Sequence, residues 1–596
     1  MSRLLCPVAF SGLSGDIRVE PQVPVRRIAL RHFSIRAVAL VLVATAMCLD
    51  AAEISAPLVK AAPVTNATVA EQVSTGEPTM TVLFKKGDRV PGRDATFERF
   101  GLPSTNDAGS VAFRARIVSA EGTRAVIYGP QSEGTDGVLF TSGENAPAND
   151  GTPTGLTFVN FRHPLLNDVG AIAFLATILG EGVNASNDVG IWTNEGGLLR
   201  LVAREGDAAP GVSGAVFAHF VSVAFGDGAY AIAEENVAPP AVAFVAQLEA
   251  GRGGVNTAND LGLWIYKRGH DPSFRLLLRE GSPLLFRTDD TFPGKTVLSF
   301  IALQPMPGAP AQGHGVGFNR HSWAHDEVLA LAKFTDGTHA IAEFRIGPDF
   351  SVLAVAKTGE PTEFNSFGVP TQSFDGQNAY IANFQVAPGE EPGPITPSAV
   401  YVANDLDGPS VHHIVSAGEP LPENNEVSFG RFQNLVNNGH GSYAFLATVA
   451  GTGITSANDV GIWRNSIDGI VPVVREGSSA PGVDNAIFRK FLSIAMPDNG
   501  RAIVKAKARN ESTLERTLGI WFTSEGFADD ANTLKLLVRQ GDFIAGTSGS
   551  PLQSFSALEY VSGSPTQARS FNNLGDFIFR ATFADGSQAL LKATLP

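Results

Sequence analysis

The chain has 596 residues and a formal net charge of −15, and Lys and Arg are spread through its body without a basic block. That balance excludes general nucleic-acid binding, which needs a cationic footprint. Charged residues make up 17%, Gly (63) and Pro (37) are frequent, and Phe (39) far outnumbers Tyr (7) and Trp (5); this suits many short strands joined by turns around a Phe-rich core.

From the N-terminus, Arg26, Arg27, Arg31 and Arg36 precede the apolar run Ala37–Leu49. A basic segment followed by a short apolar one predicts a signal peptide within residues 1–52, with an unusually long basic region. The apolar run is too short for a comfortable membrane span, so no stable span is expected after cleavage. Both cysteines, Cys6 and Cys48, fall in this segment, which leaves the mature chain without a thiol or disulfide. Export to the periplasm or the medium is expected. Residues 53–79, rich in Ala, Val, Thr and Pro, read as a linker, and 80–596 as one repeat domain.

The repeat announces itself by a short phrase: an apolar run, then Gly, an acidic residue and often Pro. It reads LFKKGDRVPG at Leu83–Gly92, LVAREGDAAPG at Leu201–Gly211 and VVREGSSAPGV at Val473–Val483. The marker glycines are Gly87, Gly143, Gly206, Gly281, Gly359, Gly418, Gly477 and Gly541. Between them come a Phe pair at i, i+3 (Phe97/Phe100, Phe158/Phe161, Phe217/Phe220, Phe364/Phe367, Phe429/Phe432, Phe488/Phe491) and a turn-and-strand phrase N-x-x-G-x-x-A-F. The latter is carried by Asn106–Phe113, Asn167–Phe174 and Asn438–Phe445, and with one change by Asn572–Phe579. A third phrase, NDVGIW or NDLGLW, ends at Trp192, Trp264 and Trp463, and a shortened LGIW at Trp521.

Asn, Asp and Gly supply turn chemistry, and the apolar residues after each turn suit buried strands. Four short strands per unit, repeated, describe a β-propeller blade. The last unit lacks a strand while Thr81–Asp88 is left over before the first. The predicted fold is therefore all-β: a single propeller of eight four-stranded blades closed by an N-terminal strand. The unit after Gly281 lacks the N-x-x-G phrase and carries extra residues over Ala302–Asp326.

The repeated N-x-x-G-x-x-A-F phrase with NDxGIW between copies resembles the bacterial exported choice-of-anchor tandem repeat NxxGxxAF-containing proteins. The resemblance covers most of the chain after the linker. It implies an exported repeat protein and no particular activity. The C-terminal sorting segment common in that family has no counterpart in the ending GSQALLKATLP.

Three groups of residues are candidates for chemistry. The Asn-Asp loops Gly182–Asp188 and Gly254–Asp260, with the fragment Asp405–Gly408, offer oxygens to Ca²⁺, against the plainer reading that they build turns. No other cofactor is expected. The insertion after Gly281 concentrates His314, His321, His325, Asp326 and Glu327. His321 and His325 are four apart, a spacing that would converge on a metal if the stretch were helical, and a recognition loop is the alternative. Gly313–Phe318 has the glycine spacing of a phosphate loop without the helix that should follow.

Third, the residue before the second Phe of each pair is Arg99, Asn160, His219, Ser366, Arg431 or Lys490. On an innermost strand, Arg99, His219, Arg431 and Lys490 would present a partly basic ring to an anionic ligand, against a purely structural role between blades. The expected function is an exported, non-catalytic binding scaffold for a protein or glycan, acting as a monomer. The alternatives are a carbohydrate-directed hydrolase or lyase, with Glu98, Asp326 and Glu327 as the first acids to inspect, and a calcium-stabilised adhesin.

Overall fold

The chain divides into two units, Met1–Gln72 and Val73–Pro596. In the computed structural model the described residues are 77–595, apart from 132–134, 227–240, 270–272, 288–293, 304–317, 322–324, 347–349, 359–363, 373–376, 385–396, 405–409, 439–441, 467–468, 498–499, 525–532, 559–569 and 573. The signal segment, most of the linker, Gly359, His314, Asp405–Gly408 and nearly all of Gly313–Phe318 therefore lie outside them.

The second unit is an eight-bladed β-propeller. Eight antiparallel sheets follow one another along the chain, and in all but the last the main strands pair in sequence order. Blade 1 runs Thr96–Thr105, Val111–Ser119, Gly122–Pro130 and Asp136–Thr141. Blade 8 runs Leu552–Ser556, Asp576–Phe583 and Gln588–Thr594, and its fourth strand is Thr79–Lys85, which pairs with Gln588–Thr594 from the far end of the chain. The predicted closure is present, and it leaves no blade with a missing edge.

The marker phrase is a joint between blades. Seven of the eight marker glycines donate their N–H to the first residue of the next blade's Phe pair or its equivalent: Gly87 to Phe97, Gly143 to Phe158, Gly206 to Phe217, Gly281 to Val297, Gly418 to Phe429, Gly477 to Phe488 and Gly541 to Leu552, all at 2.7–2.9 Å. These glycines hold φ of 73° to 94°, where a side chain would be strained. The acidic residue that follows turns back to the strand just finished. Asp88, Glu144, Asp207, Glu419 and Asp542 each accept the backbone N–H of the residue three before. The Pro presents its carbonyl to the blade's own tryptophan: Trp192 Nε1 donates to Pro147, Trp264 Nε1 to Pro210 and Trp521 Nε1 to Pro481.

Each Phe pair is made possible by a β-bulge. The register slips between Phe97 and Arg99, Phe158 and Asn160, Phe217 and His219, Phe364 and Ser366, and Phe488 and Lys490. The extra residue lets both rings at i and i+3 enter the core while those between them turn outward. Trp192 and Trp463 stack on the Phe of N-x-x-G-x-x-A-F (Phe174 and Phe445), Trp264 on Phe244 at the equivalent strand position (interplanar angles 14–20°), and all three meet the first Phe of the pair edge-on. The glycine of G-x-W is obligatory here. A Cβ on Gly190, Gly262, Gly461 or Gly519 would lie 2.4–2.6 Å from the tryptophan ring two residues later.

The N-x-x-G asparagine is a staple between blades. Its Oδ1 accepts the N–H four residues on, closing its own turn: Asn106 from Ser110, Asn167 from Ala171, Asn438 from Ser442 and Asn572 from Asp576. Its Nδ2 reaches a carbonyl of the next blade: Asn572 to Asn106 O, Asn106 to Asn167 O, Asn167 to Gly226 O and Asn438 to Pro497 O, at 2.9–3.2 Å. All four asparagines are buried. Radiating blades approach most closely at their inner edges, so these directly linked turns mark the inner rim, and the first strand of each blade is the inner one.

Blade 4 departs from this plan, as its sequence does. Phe318–His321 forms an added strand on His325–Phe334. Glu327 and Glu343 are buried in this blade. Blade 5 reaches back to them: Gln372 Nε2 donates to Glu327 (3.1 Å) and Asn378 Nδ2 to Glu343 (2.6 Å), while Arg345 Nε lies 2.6 Å from Glu343.

Candidate functional site

The outward residues of the Phe-pair bulges are the first place to look, because the fold repeats their position and varies their chemistry. Arg99, Asn160, His219, Arg431 and Lys490 are exposed. His219 Nδ1 is 3.4 Å from Glu205 Oε1. Burial raises the Glu205 pKa, His219 draws it back, and Asp188 adds to the rise. Lys490 helps to restrain Glu476, whose carboxyl burial and Asp459 push up to about 7. The backbone N–H of Arg431 donates to Thr448 Oγ1, and Ser366 Oγ accepts from Asn383. His321 and His325 are register partners across the hairpin of blade 4, on strands instead of one helix face; their side chains lie outside the described residues. Glu98 is held by Arg116 at 3.3 Å.

Among these residues the structure brings Arg99 and Asn160 to a shared cavity. It has a volume of about 190 Å³ and opens at the seam between blades 1 and 2. Arg99, Arg114, Arg116 and Asn160 supply its polar wall and Ala125 and Phe161 its apolar one; Phe100, Ala115 and Val126 also border it, but their side chains are buried in the core that includes Ile578 and Leu590 of blade 8. Arg99 and Arg116 are cross-strand partners, so two guanidinium groups leave the sheet side by side. Arg114 comes from the middle of VAFRARI and passes over Gly101, where a Cβ would lie 2.4 Å from Arg114 Cγ. Its Nη1 bonds Phe161 O of blade 2 at 3.0 Å.

More cations surround this seam. Arg580 of blade 8 repeats the geometry of Arg114, with Nη1 on Phe100 O at 3.2 Å. The Arg114 pKa is lowered by burial first and then by Arg162, Arg99 and Arg580. His163, buried beside them, is pushed down to about 3 by burial and by Arg114, Arg580 and Arg162. It is therefore neutral at physiological pH, and its Nδ1 accepts the Leu102 N–H at 3.3 Å. Arg99 forms no ion pair with a carboxylate among the described residues. Like charges gathered at a partly enclosed site favour any anion that enters.

The Asn-Asp loops are closed on themselves. Asn187 Oδ1 accepts the Asn184 N–H and its Nδ2 donates to Gly182 O, and Asn259 and Asn458 repeat this with Asn256/Gly254 and Thr455/Gly453. Among the described residues no group of three or more His, Cys, Asp and Glu is placed to hold a metal ion. Nor is any helix there long and apolar enough to cross a membrane.

A family model described as "Family of unknown function (DUF7453)" matches residues 62–343 and again 351–591. The chain belongs to this family. The two matches divide the propeller near its middle, within blade 4. No curated protein matches the chain. Among solved structures it is similar to the WD40 domain of SCAP from fission yeast (7% identity, 87% of this chain and 98% of that one, TM-score 0.31). It is also similar to the polysaccharide lyase Uly1 (8%, 85% and 91%, 0.31) and to an endo-arabinase from Bacteroides thetaiotaomicron (10%, 49% and 97%, 0.22). Likeness at this level identifies neither activity nor ligand.

Arg114, Arg116, Arg162 and Arg580 were not singled out by sequence. For Arg114 and Arg580 the signal was a cation directly after the Phe of the turn-and-strand phrase, in VAFRARI and DFIFRATF, where Leu175 and Leu446 stand in other blades; Arg116 and Arg162 do not hold that position.

Proposed function

We propose that this protein is an exported, non-catalytic binding scaffold that holds an anionic ligand at the seam of blades 1 and 2. The observation that carries this reading is the cavity of about 190 Å³ walled by Arg99, Arg114 and Arg116 in a chain of net charge −15. A guanidinium fork matches carboxylate, sulfate and phosphate oxygens in pairs, and a recess of low dielectric strengthens each contact. The net negative charge of the chain disfavours long polyanions and leaves a short acidic group on a glycan or small molecule as the fitting ligand. Export is supported by the basic and apolar N-terminal pattern and by the resemblance to the NxxGxxAF repeat proteins.

The test is a screen of acidic and neutral oligosaccharides against the mature chain and its Arg99→Glu variant. Acidic members should bind, more weakly as salt rises, and Arg99→Glu should abolish that binding. Equal binding of neutral members, indifferent to the substitution, would refute the reading.

A further inference from the structure

The wall of the blade 1–2 cavity is amphipathic, and this narrows the anion. At about 190 Å³ it has several times the space of one water, which takes about 30 Å³ in the liquid, so a bare oxyanion would leave much of it to solvent. On one side stand the guanidinium groups of Arg99, Arg114 and Arg116 and the amide of Asn160; on the other is the half-buried Ala125, beside Phe161. Phe100 and Phe161 are buried in their own blades, so no open aromatic face is offered for a nucleobase to stack on. A ligand that satisfies this wall carries an anionic group at one end, C–H surface along one face and hydroxyls at its margin.

We infer that the cavity takes a hexuronate unit, with its carboxylate between Arg99 and Arg114, one ring face on Ala125, and a hydroxyl within reach of Asn160. This inference rests on the anion-binding reading above and adds the ligand class to it. Arg114 arrives with Nη1 already committed to Phe161 O, which fixes the fork, and Gly101 clears the space it crosses. Arg116 is balanced in part by Glu98, so Arg99, which has no such partner among the described residues, is the group with most to gain. Arg99 is exposed, and its removal leaves the buried lining in place.

The deciding measurement is calorimetric titration of the mature chain with oligogalacturonate and oligomannuronate, with the same oligomers after carboxyl reduction, and with inorganic sulfate and phosphate. The expected result is binding of at least one uronate oligomer, weakened tenfold or more by carboxyl reduction and by Arg99→Ala. Arg431→Ala, which changes the equivalent bulge position in blade 6, should leave it unchanged. A melting temperature unaltered by Arg99→Ala would show that the loss is one of contact. Sulfate or phosphate binding as tightly as the uronates, and equally sensitive to Arg99→Ala, would overturn the uronate assignment while the anion site stands. Uronate binding indifferent to Arg99→Ala would remove the inference from this cavity. Silence from every anion would defeat both it and the reading on which it rests.

Discussion

Two stretches of the inner rim perform the same task with different chemistry. From blade 8 through blades 1 and 2 to blade 3, buried asparagines pass one hydrogen bond to the next blade's backbone, as Asn572, Asn106 and Asn167 do in turn. Between blades 4 and 5 that staple is replaced by side chains on both partners, with Glu327 and Glu343 receiving Gln372 and Asn378. Gln372 and Asn378 are register partners in blade 5, as Leu166 and Ile172 are in blade 2, so polar residues have replaced an apolar pair at one place in the fold. Each seam must join its blades near the axis, but the joint tolerates exchange only when both faces change together. The exchange is also less complete. Among the described residues Gln372 Oε1, Asn378 Oδ1 and Tyr380 OH are buried without a hydrogen-bond partner, whereas each staple asparagine uses both ends of its amide. Backbone acceptors occur in every blade, and that explains why the asparagine joint can repeat.

The largest effect should come from breaking the ring beside the asparagine arc. Thr79–Lys85 covers the outer edge of blade 8, and Phe84 packs on Phe97, Phe113 and Tyr128 at centroid distances of 5.1–5.6 Å. Deleting residues 79–85 removes the burial of Met80, Val82 and Phe84, at about 1.5–3 kcal/mol each when full, and exposes a strand edge. Urea unfolding should shift to a much lower midpoint and lose cooperativity, with aggregation on gel filtration. An unchanged midpoint would mean that the ring does not depend on this strand.

Next in size are single breaks in the two seams. Glu343→Ala leaves Asn378 without its carboxylate and takes from Arg345 the nearer of two, Glu327 remaining at 3.5 Å; breaking a buried pair of this kind costs about 3–5 kcal/mol. Asn106→Ala removes one bond to Asn167 O and one to Ser110 N, and the unmet backbone groups make a loss of about 2 kcal/mol the expectation. Urea midpoints for both variants compare the seams directly. The reverse order would show that the polar exchange in blades 4 and 5 is the weaker joint.

How far the sequence displays this plan follows from where each residue does its work. The marker glycine, the acid after it and the Pro all act on the local backbone or on the same blade's tryptophan, and local action leaves fixed spacing in sequence. The Phe pairs and N-x-x-G phrase are visible for the same reason, and with them the blade count and the closing strand. The cation cluster is not visible in this way. Arg580 joins Arg99 and Arg114 only because the ring sets blade 8 beside blade 1, which places residues 480 positions apart in contact, as in Arg580 to Phe100 O. The Asn-Asp loops show local action as well: Asn187 Oδ1 and Asn259 Oδ1 accept backbone N–H groups of their own turns.

The seam between blades 6 and 7 combines an asparagine staple, Asn438, with a buried carboxyl, Glu476, and so adds pH to the comparison. Glu476 titrates near 7 in the folded chain and near its ordinary 4.5 when unfolded, chiefly because burial penalises its charge. The folded state therefore holds a proton that the unfolded state has released between these values. Stability from this group is complete below about pH 4.5, falls as pH rises to about 7, and is flat above. Melting temperatures measured from pH 4.5 to 8 should decline over that window, and Glu476→Gln should make the decline shallower. A parallel decline in the variant would place the proton elsewhere, with Glu205 and Glu280, both raised in the same direction by burial, as the next groups to replace.

The smallest expected effect separates the bulge positions from the seams they border. Lys490 is exposed, so Lys490→Ala should change stability at low pH by less than about 0.5 kcal/mol. Yet Lys490 and Arg489 are the cations that hold the Glu476 pKa down against burial and Asp459. Removing one must move that pKa further up, and the window over which stability declines should shift to higher pH by less than about one unit. The measurement is the melting profile of Lys490→Ala against that of the parent chain. A shift without loss at low pH would show that the bulge residue acts on the seam through charge alone. A uniform loss at every pH would instead make it part of the packing, and the outward residues of the other bulges would have to be reconsidered as structural.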